Sequence, residues 1–130
     1  MVSVPFDPAC DLIFVAGRVR GRLRECPLRL VLDTGASQTL LRPEVLDVIG
    51  YTARDGDTAT RVTTAVGEEQ GFCLHVASFE ALDHEVPAFQ VAVHDLPPVC
   101  DFDGLLGLNF LRRFNYEIRS REGQIRVEPA

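Results

Sequence analysis

This 130-residue chain has no lysine and no tryptophan, and it carries a single methionine. All 13 basic residues are arginine, a bias that codon usage in a GC-rich genome explains more simply than chemistry does, so no mechanism is drawn from it. No apolar run approaches the 18 residues of a membrane-spanning helix, and the first dozen positions lack the basic-then-apolar layout of a signal peptide, so the expected location is the cytoplasm. The four cysteines, Cys10, Cys26, Cys73 and Cys100, form no C-x-x-C pair and have no histidine at zinc-ligand spacing, which excludes a zinc module and leaves free, mostly buried thiols as the reading. His75, His84 and His94 stand outside any serine or cysteine nucleophile signature and are read as structural. With a net charge of -6, neither nucleic acid nor an anionic membrane is an expected partner.

What is present is one domain's worth of chain, with 46% hydrophobic and 25% charged residues, too short for two lobes. The pattern is β-rich, in short runs punctuated by glycine and proline. Residues 12 to 24 read as one or two strands bent at Gly17 and Gly21, residues 26 to 33 as a strand, and Thr39 to Arg42 as a short one. Pro43 to Ile49 has the proline-first layout of a brief helix that stops at Gly50. Ala59 to Phe79 reads as a hairpin with its tip near Val66 to Glu69, and Pro87 to Asp95 as a strand. "FDGLLGLNFLRRF" gives a strand end, a glycine and a short amphipathic helix, and the tail is a second hairpin turning at Arg121-Glu122-Gly123. The expected class is all-β, mainly antiparallel, with one or two short helices, in one domain over residues 1–130.

The stretch "LRLVLDTGASQTLL" raises a chemical question. Asp33 ends an apolar strand, and a buried carboxylate is costly unless bonded, paired or neutralised. A turn aspartate accepting backbone N–H groups would account for it alone. From composition, D-T-G occurs somewhere in such a chain by chance about 4% of the time, so the tripeptide is only a hint. Context adds more: the turn continues as Ala36-Ser37 and is answered about seventy residues later by Leu105-Leu106-Gly107.

That arrangement resembles the aspartic proteases, specifically the single-domain retropepsin-like branch, and "DGLLGLNFLRRF" is similar to the C-terminal motif of its bacterial members. The likeness runs from about Phe14 to Val127, with "RVTTAVGEEQGFCLHVASFEAL" in the place of the flap. It implies a closed acid-protease barrel forming a single lobe, an aspartic endopeptidase activity, a peptide or protein substrate, and no cofactor or metal. Asp33 would supply the catalytic carboxylate, and Thr34 would bond across to the partner's turn. Gly35 would admit the substrate backbone, while Ala36, Ser37, Val66 and Gly67 would line the cleft. Leu105, Leu106 and Gly107 would pack behind the turn. Amide hydrolysis needs a base to activate water and an acid to protonate the departing group, and two close carboxylates sharing a proton do both; that logic is general to acid proteases and comes with the resemblance.

Only one D-T-G is present: Asp57-Thr58 is followed by Ala59, and Asp55 to Ala59 misses the D-x-D-x-T of aspartate-nucleophile phosphatases by its last residue. The second carboxylate must then come from another copy of the chain, which makes a homodimer the expected partner. Asn109 stands just after the glycine, at a place where some dimeric members carry an arginine that ties subunits together. Both termini are available to add strands to the interface, as in viral members, although Pro5 makes "VSVPF" an indifferent strand. The alternative reading is a catalytically weak or inactive retropepsin-like module for dimerisation or peptide binding. Asp101 and Asp103 in "DFDG" lack the remaining ligands of a calcium loop and read as an ordinary loop.

Overall fold

The structure is a computed structural model; it describes residues 1–52, 55, 58–64 and 67–129, with side chains outside 58–64, 67–70 and 129. Val66, read as part of the hairpin tip, lies outside the described residues.

Among the described residues, ten strands and two short helices follow in the order β1 (Val2–Pro5), β2 (Phe14–Arg20), β3 (Glu25–Leu32), β4 (Leu40–Leu41), α1 (Pro43–Ile49), β5 (Thr58–Thr64), β6 (Gly67–Ala81), β7 (His84–Val93), β8 (Gly104–Leu106), α2 (Leu108–Leu111), β9 (Phe114–Arg119) and β10 (Gln124–Pro129). The larger sheet runs β2-β3-β8-β4-β7-β6-β5, and β2 also pairs with β6, so six of its strands close into a barrel with β5 outside. Closure removes the exposed edges that an open sheet of this size would present. Two pairings are parallel, β3 with β8 and β4 with β7. β8 thus lies between β3 and β4, pairing parallel with one and antiparallel with the other.

β3 forms because Leu28, Leu30 and Leu32 alternate inward, and Val31, on the opposite face, is buried as well. Helix α1 keeps its expected bounds: Pro43 supplies a preset φ at its start, and Gly50 ends it at φ +99°, a left-handed cap whose N–H donates to Leu46 and Asp47 carbonyls. Its buried face is Val45, Leu46 and Ile49. The Arg42 side chain does not cap the helix; its guanidinium donates to the carbonyls of Cys100 and Phe102 and holds the loop before β8.

The main core fills the barrel around Phe79, Phe89 and Phe110, whose ring centroids lie 5.0 to 5.8 Å apart. Each such ring contributes about 2–3 kcal/mol by burial, plus about 1 kcal/mol from edge-on packing. A smaller apolar cluster, Leu40, Cys73 and Ala92 with the partly buried Leu96 and Leu105, is separate from it.

Several expectations are corrected. Strand β6 continues to Ala81 and β7 starts at His84, three residues before the proposed Pro87, because Leu82 and Asp83 make a two-residue turn at φ +51° and +63° without the usual glycine or asparagine. β1 pairs with β10 of the same chain, Val2 opposite Val127, giving a three-stranded sheet β1-β10-β9. Of the four free thiols only Cys73 is buried, whereas Cys10 is exposed and Cys26 and Cys100 are half-buried. No helix among the described residues is long and apolar enough to cross a membrane.

Candidate active site

Asp33 follows the last residue of β3, and the geometry of its turn is set by β8 and α2. The Asp33 N–H donates to the Leu106 carbonyl at 3.0 Å, extending the β3–β8 ladder by one bond. The chain then reverses: the Gly35 N–H donates to Asp33 Oδ1 at 2.8 Å, and the Ala36 N–H to the Asp33 carbonyl at 3.2 Å. This is the aspartate turn anticipated from the order Asp-Thr-Gly, in which the side chain takes the place of a backbone acceptor. Asp33 is half-buried, and Thr34, Gly35 and Ser37 are exposed around it. A half-buried carboxylate with Oδ1 on a backbone N–H of its own turn is held in orientation.

The turn is bolted from beneath. Leu108 N–H donates to the Ala36 carbonyl at 2.8 Å and Asn109 N–H to the Ser37 carbonyl at 3.2 Å, so the start of α2 receives the far side of the turn. Gly107 N–H donates to Thr39 Oγ1 at 3.1 Å, and Thr39 is fully buried. The glycines of D-G-L-L-G are required by approach distance: a Cβ on Gly104 would stand 2.0 Å from the Leu40 carbonyl oxygen, and one on Gly107 would stand 2.4 Å from that of Gln38. The two motifs are therefore in main-chain contact.

Leu106 is fully buried in the main core, and Leu105, half-buried, packs on the smaller cluster beside Leu40. Ala36, read as a wall of the cleft, is instead completely buried, because the turn folds it inward over α2. Asn109 is the second residue after Gly107, not the first, and its side chain is spent within its own subunit: Oδ1 accepts the Thr39 N–H at 2.7 Å and Nδ2 donates to the Gln90 carbonyl at 2.9 Å. Thr39 and Asn109 carried no role in the sequence reading. The available signal was an amide side chain within the otherwise apolar "LNFL".

The hairpin expected as the flap is β5–β6, paired from Thr58 opposite Cys73 to Thr64 opposite Gly67. β7 joins β6 only from Phe72, so Gly67 to Gly71 pair with β5 alone and project as a two-stranded ribbon. Gly71 marks the departure point, where a Cβ would meet the Val93 carbonyl oxygen at 2.4 Å. In "DFDG", Asp103 Oδ2 accepts the Arg29 N–H at 2.8 Å and Asp101 pairs with the Arg29 guanidinium at 3.5 Å, which gives both acids a structural employment. Among the described residues no group of three or more histidine, cysteine or acidic side chains is placed to hold a metal.

A search of the curated proteins finds no match to this sequence. Among solved structures, a retropepsin-like aspartic protease from Rickettsia conorii is similar over 97% of this chain and 88% of its own, with a TM-score of 0.67 and 19% identity, a likeness of fold. The barrel with its two short helices is thus retropepsin-like. The Aspartyl protease family matches residues 15–110, which takes in β2, the D-T-G turn, the flap-like hairpin and the L-L-G motif. By that match, over well more than half its length, the chain belongs to the aspartyl protease family.

Proposed function

We propose that the protein is an aspartic endopeptidase that works as a homodimer, with one Asp33 from each copy. The observation that carries this reading is the turn itself, a half-buried carboxylate oriented by the Gly35 N–H on a backbone that the Leu106 carbonyl anchors, in a chain with a single D-T-G. Two such turns meeting about a two-fold axis bring two carboxylates together, and like charges at short range share one proton.

In the proposed reaction the ionised carboxylate takes a proton from water, whose oxygen bonds to the peptide carbonyl carbon as the protonated carboxyl gives its proton to the carbonyl oxygen. Collapse of the tetrahedral species breaks the C–N bond while the nitrogen leaves with a proton from the dyad. The protein supplies the base, the acid and their alignment; Thr34 and Ser37, exposed beside Asp33, face the partner turn and the peptide. The β5–β6 ribbon closes over the bound chain and excludes water.

Incubation with an unstructured polypeptide between about pH 3 and 7 is expected to give internal cleavage, reduced a thousandfold or more, on the order of a lost catalytic group, in Asp33→Asn. Absence of cleavage by the wild type with tight peptide binding would instead mark the non-catalytic module.

A further inference from the structure

We infer that Asn109 is the positioning residue that sets the catalytic turn against the strand pair bearing the flap, a role that rests on the protease reading. The side chain bridges two segments far apart in sequence, and the backbone N–H adds a bond to the first of them. Its Oδ1 holds the N–H of Thr39, six residues past Asp33, its Nδ2 holds the carbonyl of Gln90 in the middle of β7, and its own N–H holds the carbonyl of Ser37 within the turn.

Gln90 is paired with His75 on β6, and four residues before His75 that strand leaves β7 at Gly71 to become the projecting ribbon. One amide thus joins the segment that carries the acid to the sheet that carries the cover. An amide is the side chain suited to this place because it offers an acceptor to one side and a donor to the other. Aspartate keeps the acceptor and loses the donor; leucine, similar in size, loses both.

Thr39 completes the bracket. Its hydroxyl accepts the Gly107 N–H and its carbonyl accepts the Ala92 N–H at 2.8 Å, so Asn109 closes a loop of bonds running from the L-L-G glycine through β4 to β7. Members of such a network act together, and loss of the amide leaves the Thr39 N–H without its acceptor at the point where the turn runs into β4. A displacement near 1 Å at a reacting group costs up to about a hundredfold in rate even when the altered residue does not touch substrate.

The test compares Asn109→Leu and Asn109→Asp with wild type on a peptide substrate and by amide hydrogen exchange. Asn109→Leu is expected to lower kcat about 10- to 100-fold with KM within about threefold, and to speed exchange at the Thr39 N–H and through the Asp33–Ser37 turn, with distant strand β10 unchanged. Asn109→Asp, which retains the bond to Thr39, is expected to recover part of that kcat and to restore slow exchange at Thr39. The inference is overturned if kcat of the leucine variant stays within twofold of wild type, if its loss matches a loss of folded protein, or if exchange accelerates evenly through the barrel. Wild type without any cleavage would count against the protease reading, while turn-specific exchange still decides the placement of Asn109.

Discussion

Gly104 shows how little space separates the two motifs of this chain. With a Cβ only 2.0 Å from the Leu40 carbonyl oxygen, alanine there forces β4 and β8 apart, and neither side of the contact is a flexible side chain. Gly104→Ala is expected to destabilise the fold by about 3 kcal/mol or more, seen as a lower denaturation midpoint in urea with little change in slope. Ala88 is strained in the opposite sense. It sits at φ +48° in β7, where the ladder with β6 skips from Phe89 to Pro87, so glycine would relieve backbone strain at an exposed position. The Asp33 turn and the L-L-G glycine could be picked out from the sequence, the first because aspartate before Thr-Gly accepts a backbone N–H of its own turn, the second because a Cβ there would meet a carbonyl oxygen. Thr39 could not, and Asn109 stood out only as a departure from an interface arginine, since the bond between them spans 70 residues and depends on which strands become neighbours. Ala36 was misplaced for a related reason: a turn motif does not say which of its side chains the following helix will cover.

At the scale of elements, the β2–β3 hairpin tip is docked on the end of α1. Leu23 N–H donates to the Ile49 carbonyl at 3.0 Å, and Arg22 lies over the Tyr51 ring while its guanidinium reaches Asp55 at 2.7 Å. The Thr52 N–H and then Arg22 hold the Asp55 carboxyl below its ordinary value. A carboxylate lowered in the folded state adds stability that is present above its unfolded pKa, about 4, and is lost as pH falls through the folded value. Asp55→Asn is therefore expected to lower the melting temperature at pH 7, with the gap to wild type closing below about pH 4 in a thermal series. Helix α1 was readable to the residue because proline and glycine bracket it, and the tail hairpin because Gly123, at φ +66°, marks its turn. The β6–β7 turn was hidden because Leu82 accepts a left-handed conformation in return for a fully covered side chain, a trade visible only in the assembled core.

For the whole molecule, the all-β class followed from short alternating runs, but the closing of the barrel depends on β2 meeting β6, and no local pattern encodes that pairing. The terminal strands were held available for an interface between subunits; within the subunit β10 lies between β1 and β9, and among the described residues β1 keeps one edge unpaired, while the proposed dimer brings the two Asp33 turns together. Activity per mole is accordingly expected to fall on dilution as dimers separate, read alongside sedimentation. Mixing wild type with an equal amount of Asp33→Asn and allowing exchange leaves about a quarter of the dimers with two intact acids, so total activity is expected to drop to about half of an unmixed control containing the same wild-type protein.

The parallel pairing of Leu30 to Leu32 with Gly104 to Leu106 has a bearing on when such an enzyme could first act. The early strand that presents the acid is finished by a late one, so a growing polypeptide released only as far as the flap has its D-T-G but nothing beneath it. On the proposed function, cutting power would be withheld from a chain interrupted before residue 104, which would be harmless to its neighbours.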